Sequence, residues 1–544
     1  MRAADLLLVA SVAAPLLLAA CCVSDRLRTS AASFLVFAPL PALLAAILAP
    51  EGHFVQLPAP LRLTLQLDGP GAILLGSSAL LWSAASAYVK FTMGTERATS
   101  RFSVWWLLTL SGSLGVFIAA DVIGFYLLFS LASLAAYGLI VHEQTATAQR
   151  AAQIYLSLAV LGEAFLLLAL VMLAAVSAEV NPQIRDVVRE LGSASARSAV
   201  VAFLVLGLGL KMGLVPLHVW LPLAHPAAPV PASAVLSGVL VKAGVVGFLR
   251  FLPFETGLPG WGTALMVIGL LTAYWGALVG VTQKRPKVIL AYSTVSQMGL
   301  LAVLAGVGLE AGEPELRLLT AYYAVHHTLV KGALFLALGV LGTVASGGSY
   351  RFAFATTCIL ALSLGGMPLT SGALAKLAAK PMIGSGVVES ALSLAAVGST
   401  LLMLRFLSVV ACEPPGARPI AGVLGLVVPW TVVSIASLAV PWLLYPAISG
   451  ESVESLLSAN SIWKVAWPML VGAAAMLLVR LITWLPGWVP EGDIVVFGKS
   501  AEGLIRAVGS SANALDQTLR RWQMAGLSLV LLTILMVGAI TAGK

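Results

Sequence analysis

Long apolar runs recur along this chain, separated by short polar loops, and the runs do not alternate apolar and polar residues at a period of two. A helix needs about 20 mostly apolar residues to cross a hydrocarbon layer. Runs of that kind lie near 5–23, 30–50, 69–93, 103–120, 121–142, 152–178, 199–221, 231–251, 262–283, 286–309, 316–345, 352–384, 388–412, 419–445, 461–484 and 522–543, which predicts about 14–16 spans in an all-α polytopic membrane protein. A membrane β-barrel is excluded, because its strands alternate. The stretch 486–521 differs. Pro490-Glu491-Gly492-Asp493 opens a segment in which Leu504, Ile505, Val508, Leu515 and Leu519 recur at near-helical spacing among charges. The spacing predicts an amphipathic helix along the cytoplasmic membrane surface, with a solvated linker as the alternative.

Composition agrees with the pattern: of 544 residues, 60% are hydrophobic and only 10% charged, more apolar side chain than one water-soluble core hides. The net charge of +8 is spread over loops, with no dense basic run and interleaved aromatics, so nucleic acid is excluded as a partner and the charge reads as topology. One set of alternate loops carries Arg26, Arg28, Arg97, Arg101, Arg150, Lys284, Arg285, Lys287, Arg351 and Arg418; the other carries Arg62, Arg185, Arg189, Arg197, Arg250 and Arg317. By the positive-inside rule the first set is cytoplasmic, which places both termini on the periplasmic side of a bacterial inner membrane. Cys21, Cys22, Cys358 and Cys412 form no CxxC pair, so neither a disulfide framework nor a zinc or iron–sulfur site is expected. The run Leu16-Leu17-Leu18-Ala19-Ala20-Cys21 is similar to a lipoprotein signal, but the preceding segment has only Arg2 followed by Asp5, and the first helix is expected to stay.

An ionisable side chain at bilayer depth costs several kcal/mol unless paired or hydrated, which makes each one a functional candidate. The candidates are Asp121, Glu163, Lys211, Lys242, His326, His327, Lys331 and Lys376. Two of the lysines adjoin helix breakers, in Lys211-Met212-Gly213-Leu214-Val215-Pro216 and in Gly365-Gly366-Met367-Pro368 leading to Lys376. Broken helices at mid-membrane suit two inverted five-helix repeats. The expected organisation is an N-terminal group over 1–102, a first repeat over 103–251, a second over 262–412, and C-terminal helices over 413–544. Burial disfavours an ammonium charge and a nearby carboxylate favours it, so moving the partner makes a lysine hold or release a proton. The structural alternative is that each lysine snorkels to an interface or ties helices together.

Three runs then look familiar: Pro216-Leu217-His218-Val219-Trp220-Leu221-Pro222, Ala224-His225-Pro226-Ala227-Ala228-Pro229, and Leu236-Ser237-Gly238-Val239-Leu240-Val241-Lys242. With Ala291-Tyr292-Ser293-Thr294-Val295-Ser296-Gln297-Met298-Gly299 and His327-Thr328-Leu329-Val330-Lys331, the chain resembles the antiporter-like membrane subunits over roughly 65–410. These include the proton-pumping subunits of respiratory complex I, Mrp cation/proton antiporter subunits, and the membrane arms of hydrogenase-4 and formate hydrogenlyase. The resemblance implies a core of about fourteen helices, with helices 7 and 12 broken. It implies no cofactor, and energy supplied by neighbouring subunits. By position, Lys211 matches the lysine of the seventh helix and Lys242 that of the eighth. His327 and Lys331 match the pair of the eleventh, and Lys376 the terminal residue of the twelfth; His218, His225 and Ser130 are candidates for a further relay. The family's fifth-helix glutamate is replaced by Ser130 and the acid before Ala224-His225 by Leu223. Glu163 is expected to stand in for the missing acid.

The main reading is a subunit that moves protons, or monovalent cations against protons, within a hetero-oligomeric membrane complex. It has no catalytic centre of its own, since no dinucleotide-binding glycine loop or cluster ligand set is present. The alternatives are an energising subunit for inorganic-carbon uptake beside a carbonic-anhydrase-like partner, and a scaffold with a degenerate channel.

Overall fold

The computed structural model describes residues 3–24, 27, 33–58, 62–92, 96–175, 177, 181–192, 194–344, 346–413, 423–481 and 489. In lipid each backbone polar group needs a partner within the protein, so the apolar runs close into helices. In chain order these are α1 (Ala3–Val23), α2 (Leu40–Leu48), α3 (Gly69–Thr92), α4 (Glu96–Val116), α5 (Val122–Ile140), α6 (Ala146–Ala174), α7 (Ile184–Leu191), α8 (Arg197–Met212) and α9 (Trp220–Ala227). They continue with α10 (Val230–Phe251), α11 (Trp261–Val281), α12 (Pro286–Ala311), α13 (Leu316–Leu341), α14 (Gly348–Gly365), α15 (Ser371–Ile383), α16 (Val387–Val410), α17 (Val423–Ser449), α18 (Val453–Leu456) and α19 (Ala459–Leu481). One hairpin, β1 (Phe54–Gln56) with β2 (Thr64–Gln66), pairs antiparallel with Val55 opposite Leu65.

Among the described residues 11 helices are long and apolar enough to cross a membrane, and the chain is a multi-pass membrane protein. Where helices fall short of the expected spans, the sequence supplies the reason. The run 199–221 ends its helix at Met212, and 352–384 divides into α14 and α15. The run 30–50 yields only α2, which begins at Leu40 with Pro41 in its first turn, where a missing N–H costs nothing. Both the segment 486–521 and the run 522–543 lie outside the described residues, apart from Val489.

α10 and α12 are each buried over an 18-residue stretch and α13 nearly so, whereas α6, α17 and α19 are mostly not buried. Side chains such as Val171, Leu443 and Leu477, with Leu271 and Leu278 of α11, form an outer, apolar surface. Small residues let helices approach where polar groups must meet. A Cβ on Gly299 would stand 2.5 Å from the Gly269 carbonyl oxygen, and one on Gly276 would stand 2.6 Å from the Ser296 nitrogen, which fixes α11 against α12. α6 meets α8 the same way, since a Cβ on Gly207 would stand 2.8 Å from the Gly162 carbonyl oxygen.

Candidate functional site

The polar groups gather at three interruptions in otherwise apolar helices. The first ends α8. Gly213 takes a left-handed conformation at φ +79°, and a Cβ there would lie 2.2 Å from Leu221 Cδ1. Interrupting a helix frees carbonyls that lipid cannot satisfy; Trp220 Nε1 donates to the Leu210 carbonyl at 3.0 Å. Lys211, on the last turn, is buried and points toward α5 and α6. Its Nζ donates to Ser133 Oγ at 2.7 Å and to the Tyr155 hydroxyl at 3.3 Å. It lies 5.6 Å from the Phe129 ring centre and 5.7 Å from that of Tyr155, within cation–π range. Tyr155 is held in turn, donating to the Ser133 carbonyl at 2.7 Å. Glu163, 7% exposed on α6, turns its carboxyl toward the hydroxyls of Ser130 and Ser133 and interacts electrostatically with Lys211. Its Oε1 is buried without a hydrogen-bond partner among the described residues.

The second interruption lies within α10, where a π-turn over Leu236–Leu240 precedes Lys242. A π-turn misaligns the ladder and leaves carbonyls for other donors. Lys242 Nζ donates to the Ser237 carbonyl at 3.0 Å and shares a hydrogen bond with His327 Nδ1 at 2.5 Å, in which Nδ1 accepts when Lys242 is an ammonium. One helical turn beyond His327, Lys331 Nζ donates to the Leu290 carbonyl at 2.7 Å and also to Ser293 Oγ. His225 on α9 is buried against Phe335, ring centres 4.9 Å apart, with neither ring nitrogen partnered among the described residues. It lies in the electrostatic field of Lys331, Lys287 and Lys242. His218, in the link after Gly213, has its ring 6.4 Å from Trp275 and 6.3 Å from Tyr292.

The third interruption separates α14 from α15. Gly366 has φ +100°, and a Cβ there would stand 2.4 Å from Lys376 Nζ, which donates to the Gly365 carbonyl at 2.7 Å. Ser371 Oγ shares hydrogen bonds with Ser363 Oγ at 3.0 Å and His326 Nδ1 at 2.8 Å, and His326 feels the charges of Lys376 and Lys242. A side branch continues from the Tyr323 hydroxyl to Gln297 Oε1 at 3.0 Å, and from Gln297 Nε2 to Ser399 Oγ at 3.1 Å.

The structure therefore brings His225, Lys242, His327, Lys331, His326 and Lys376 into one row, with Lys211, Glu163 and Ser130 as a second group at the first break. Asp121 has a separate set of contacts. It caps α5, accepting from Gly124 N at 2.6 Å, Asn181 Nδ2 at 2.9 Å and Thr64 N at 2.5 Å, and so ties β2 and the 181 loop to the helix. Its carboxylate oxygens are used by that anchor. Sequence reasoning passed over Tyr155, Ser133, Ser293, Ser371 and the Tyr323–Gln297–Ser399 branch as site residues. The available signal was hydroxyl residues one turn apart on apolar helices, as in Ser130 and Ser133 or Ser293 and Ser296.

Residues 119–404 match the family model described as NADH:quinone oxidoreductase/Mrp antiporter, TM. Hydrogenase-4 component B of Escherichia coli is 31% identical over 293 residues, 51% of this chain and 43% of that protein. The Na(+)/H(+) antiporter subunit A1 of Staphylococcus haemolyticus is 30% identical over 338 residues, 57% of this chain and 42% of the relative. The matched region thus spans under half the length of these relatives. In three dimensions the chain is similar to one in the Mrp complex from Dietzia sp. DQ12-45-1b, with TM-score 0.74 and 23% identity, covering 99% of this chain and 63% of that one. A chain of the membrane-bound sulfane sulfur reductase, an archaeal respiratory membrane complex, gives TM-score 0.66 at 18% identity, covering 88% of this chain and 99% of that one.

Proposed function

We propose, from the premise that this chain belongs to the NADH:quinone oxidoreductase/Mrp antiporter transmembrane family, that it translocates protons, or exchanges cations for protons, as one subunit of a multisubunit membrane complex. The observation that carries this is the row of lysines and histidines at helix interruptions, bonded to neutral carbonyls, hydroxyls and imidazole rather than locked in ion pairs. A buried lysine paired with a carboxylate is a strut, because separating the pair strands a charge. A lysine beside a neutral acceptor passes its proton on with little rearrangement.

Lys242 and His327 have that geometry. Transfer from Nζ to Nδ1 leaves a neutral amine and an imidazolium, whose Nε2 proton passes on to a water that reaches Nε2, which has no protein acceptor among the described residues. The route extends through the electrostatic fields that Lys376 and Lys242 exert on His326, and that Lys242, Lys331 and His326 exert on His327. Glu163 sets the occupancy of Lys211 from the first break, in place of the acid absent at Ser130. On the same reading, residues 103–251 and 262–412 are two inverted repeats with equivalent breaks at Gly213 and Gly366, and the Lys284–Lys287 loop faces the cytoplasm with both termini periplasmic.

The experiment is to copurify the chain with its partner subunits in mild detergent, reconstitute the assembly, and follow internal pH with a trapped dye. An ion-driven pH change that vanishes when this chain is omitted supports the proposal. Equal pH change with and without it excludes the proposal.

A further inference from the structure

A cavity of about 480 Å³ opens on the face of the bundle that carries the loops 252–260 and 312–315. At about 30 Å³ per molecule it has room for on the order of sixteen waters. Its walls carry charges of both signs, including Arg185, Arg317, Asp68 and Glu255, which suits a hydrated space rather than an apolar ligand. Arg250 stiffens the inner wall: its guanidinium donates to the carbonyls of Val116 at 3.1 Å, Phe117 at 2.6 Å and Ala119, and pairs with Asp68 at 3.2 Å. None of the candidate relay residues lines this space.

Two helices lead from the cavity into the core. On α10 the lining residues Val246, Leu249 and Arg250 share a face with Lys242, four residues from Val246, or about 6 Å along the axis. On α13 the lining residue Arg317 begins a stripe that continues through Thr320 and Ala324 to His327. Thr320 Oγ1 is buried and has no partner among the described residues, and Ser78 Oγ on α3, two turns inward from the lining residue Gly71, is in the same condition. Buried hydroxyls without partners cost free energy unless water visits them. Both stripes end on the Lys242–His327 hydrogen bond.

We propose that this cavity is a separate access port to the Lys242–His327 pair, closed at its floor by Val246 and neighbouring apolar side chains. A proton leaving His327 Nε2 or Lys242 Nζ passes to a water that enters past Val246 and moves through the cavity to the surface, and the reverse path reloads the pair. The port rests on the translocation reading and gives the centre of the row its own exit, independent of Lys376 at the far end.

The test uses the full chain in its complex, with Cys21, Cys22, Cys358 and Cys412 replaced by Ser. Single cysteines are introduced as Val246→Cys, Leu249→Cys, Glu255→Cys and, as an outward-facing control, Leu271→Cys. Each is treated in sealed vesicles of either orientation with a positively charged, membrane-impermeant methanethiosulfonate, and ion-driven pH change is measured before and after. Expected are reaction of Val246→Cys and Leu249→Cys from the side that labels Glu255→Cys, and a drop of at least tenfold in pH change once Val246→Cys is modified. Val246→Cys no more reactive than Leu271→Cys overturns the port, and so does full modification with pH change unaltered. Absence of any pH change with the unaltered chain sinks the translocation reading instead and takes the port with it.

Discussion

Glu163 and Lys211 are ionisable groups brought within electrostatic reach of each other by residues that carry no charge. Gly162 and Gly207 let α6 and α8 touch, and the hydroxyls of Ser130, Ser133 and Tyr155 supply the polar lining that neither charge could do without. Glu163→Gln keeps the volume and most hydrogen bonds while removing the titratable group, so ion-driven pH change should fall at least about tenfold with assembly unchanged. Full flux in that variant would leave Glu163 a structural group. Asp121 has the opposite expectation. Asp121→Ala removes the α5 cap and the tie to Thr64, costing about 1–2 kcal/mol on thermal unfolding of the complex, with flux per assembled complex kept. Gly366→Ala forces a Cβ into a left-handed residue beside Lys376 Nζ, and a lower unfolding temperature equivalent to about 1–2 kcal/mol is expected. An unchanged midpoint would show that the break relaxes freely.

At the scale of elements, the two breaks next to Lys211 and Lys376 were legible because proline and paired glycines announce them. The π-turn before Lys242 was not. Leu236-Ser237-Gly238 contains no strong breaker, and the distortion belongs to packing, with Gly238 pressed between Leu81 and the Thr328 carbonyl. α2 fell short of its expected span for a local reason, the prolines at 39 and 41. Freed carbonyls at a break need donors, and for α8 the donor is an indole from the next helix. Trp220→Phe keeps the ring packing against Tyr155 but leaves the Leu210 carbonyl with only its bond from Gly213 N, so stability should drop by about 1 kcal/mol. Thermal unfolding of the purified complex reads this, and no change would mean that water replaces the indole.

Across the whole molecule, what the sequence made legible was whatever a single helix carries: its length, its apolarity, its breakers and its ionisable residues. What it withheld was the company each side chain keeps, because the partners come from remote parts of the chain. Lys211 meets Ser133 across 78 residues and Gln297 meets Ser399 across 102. Asp121 is a relay candidate by depth, and its capping contacts are visible only once Thr64 and Asn181 are placed beside it. The buried lysines and histidines recur from α9 to α15, and the Lys242–His327 hydrogen bond links two of them directly. The most direct measurement is ion-driven pH change in vesicles holding the assembled complex with Lys242→Met, which keeps the stem and removes the proton carrier. The expected result is a loss of at least about tenfold at normal assembly; flux equal to that of the unaltered chain would contradict proton passage through this row.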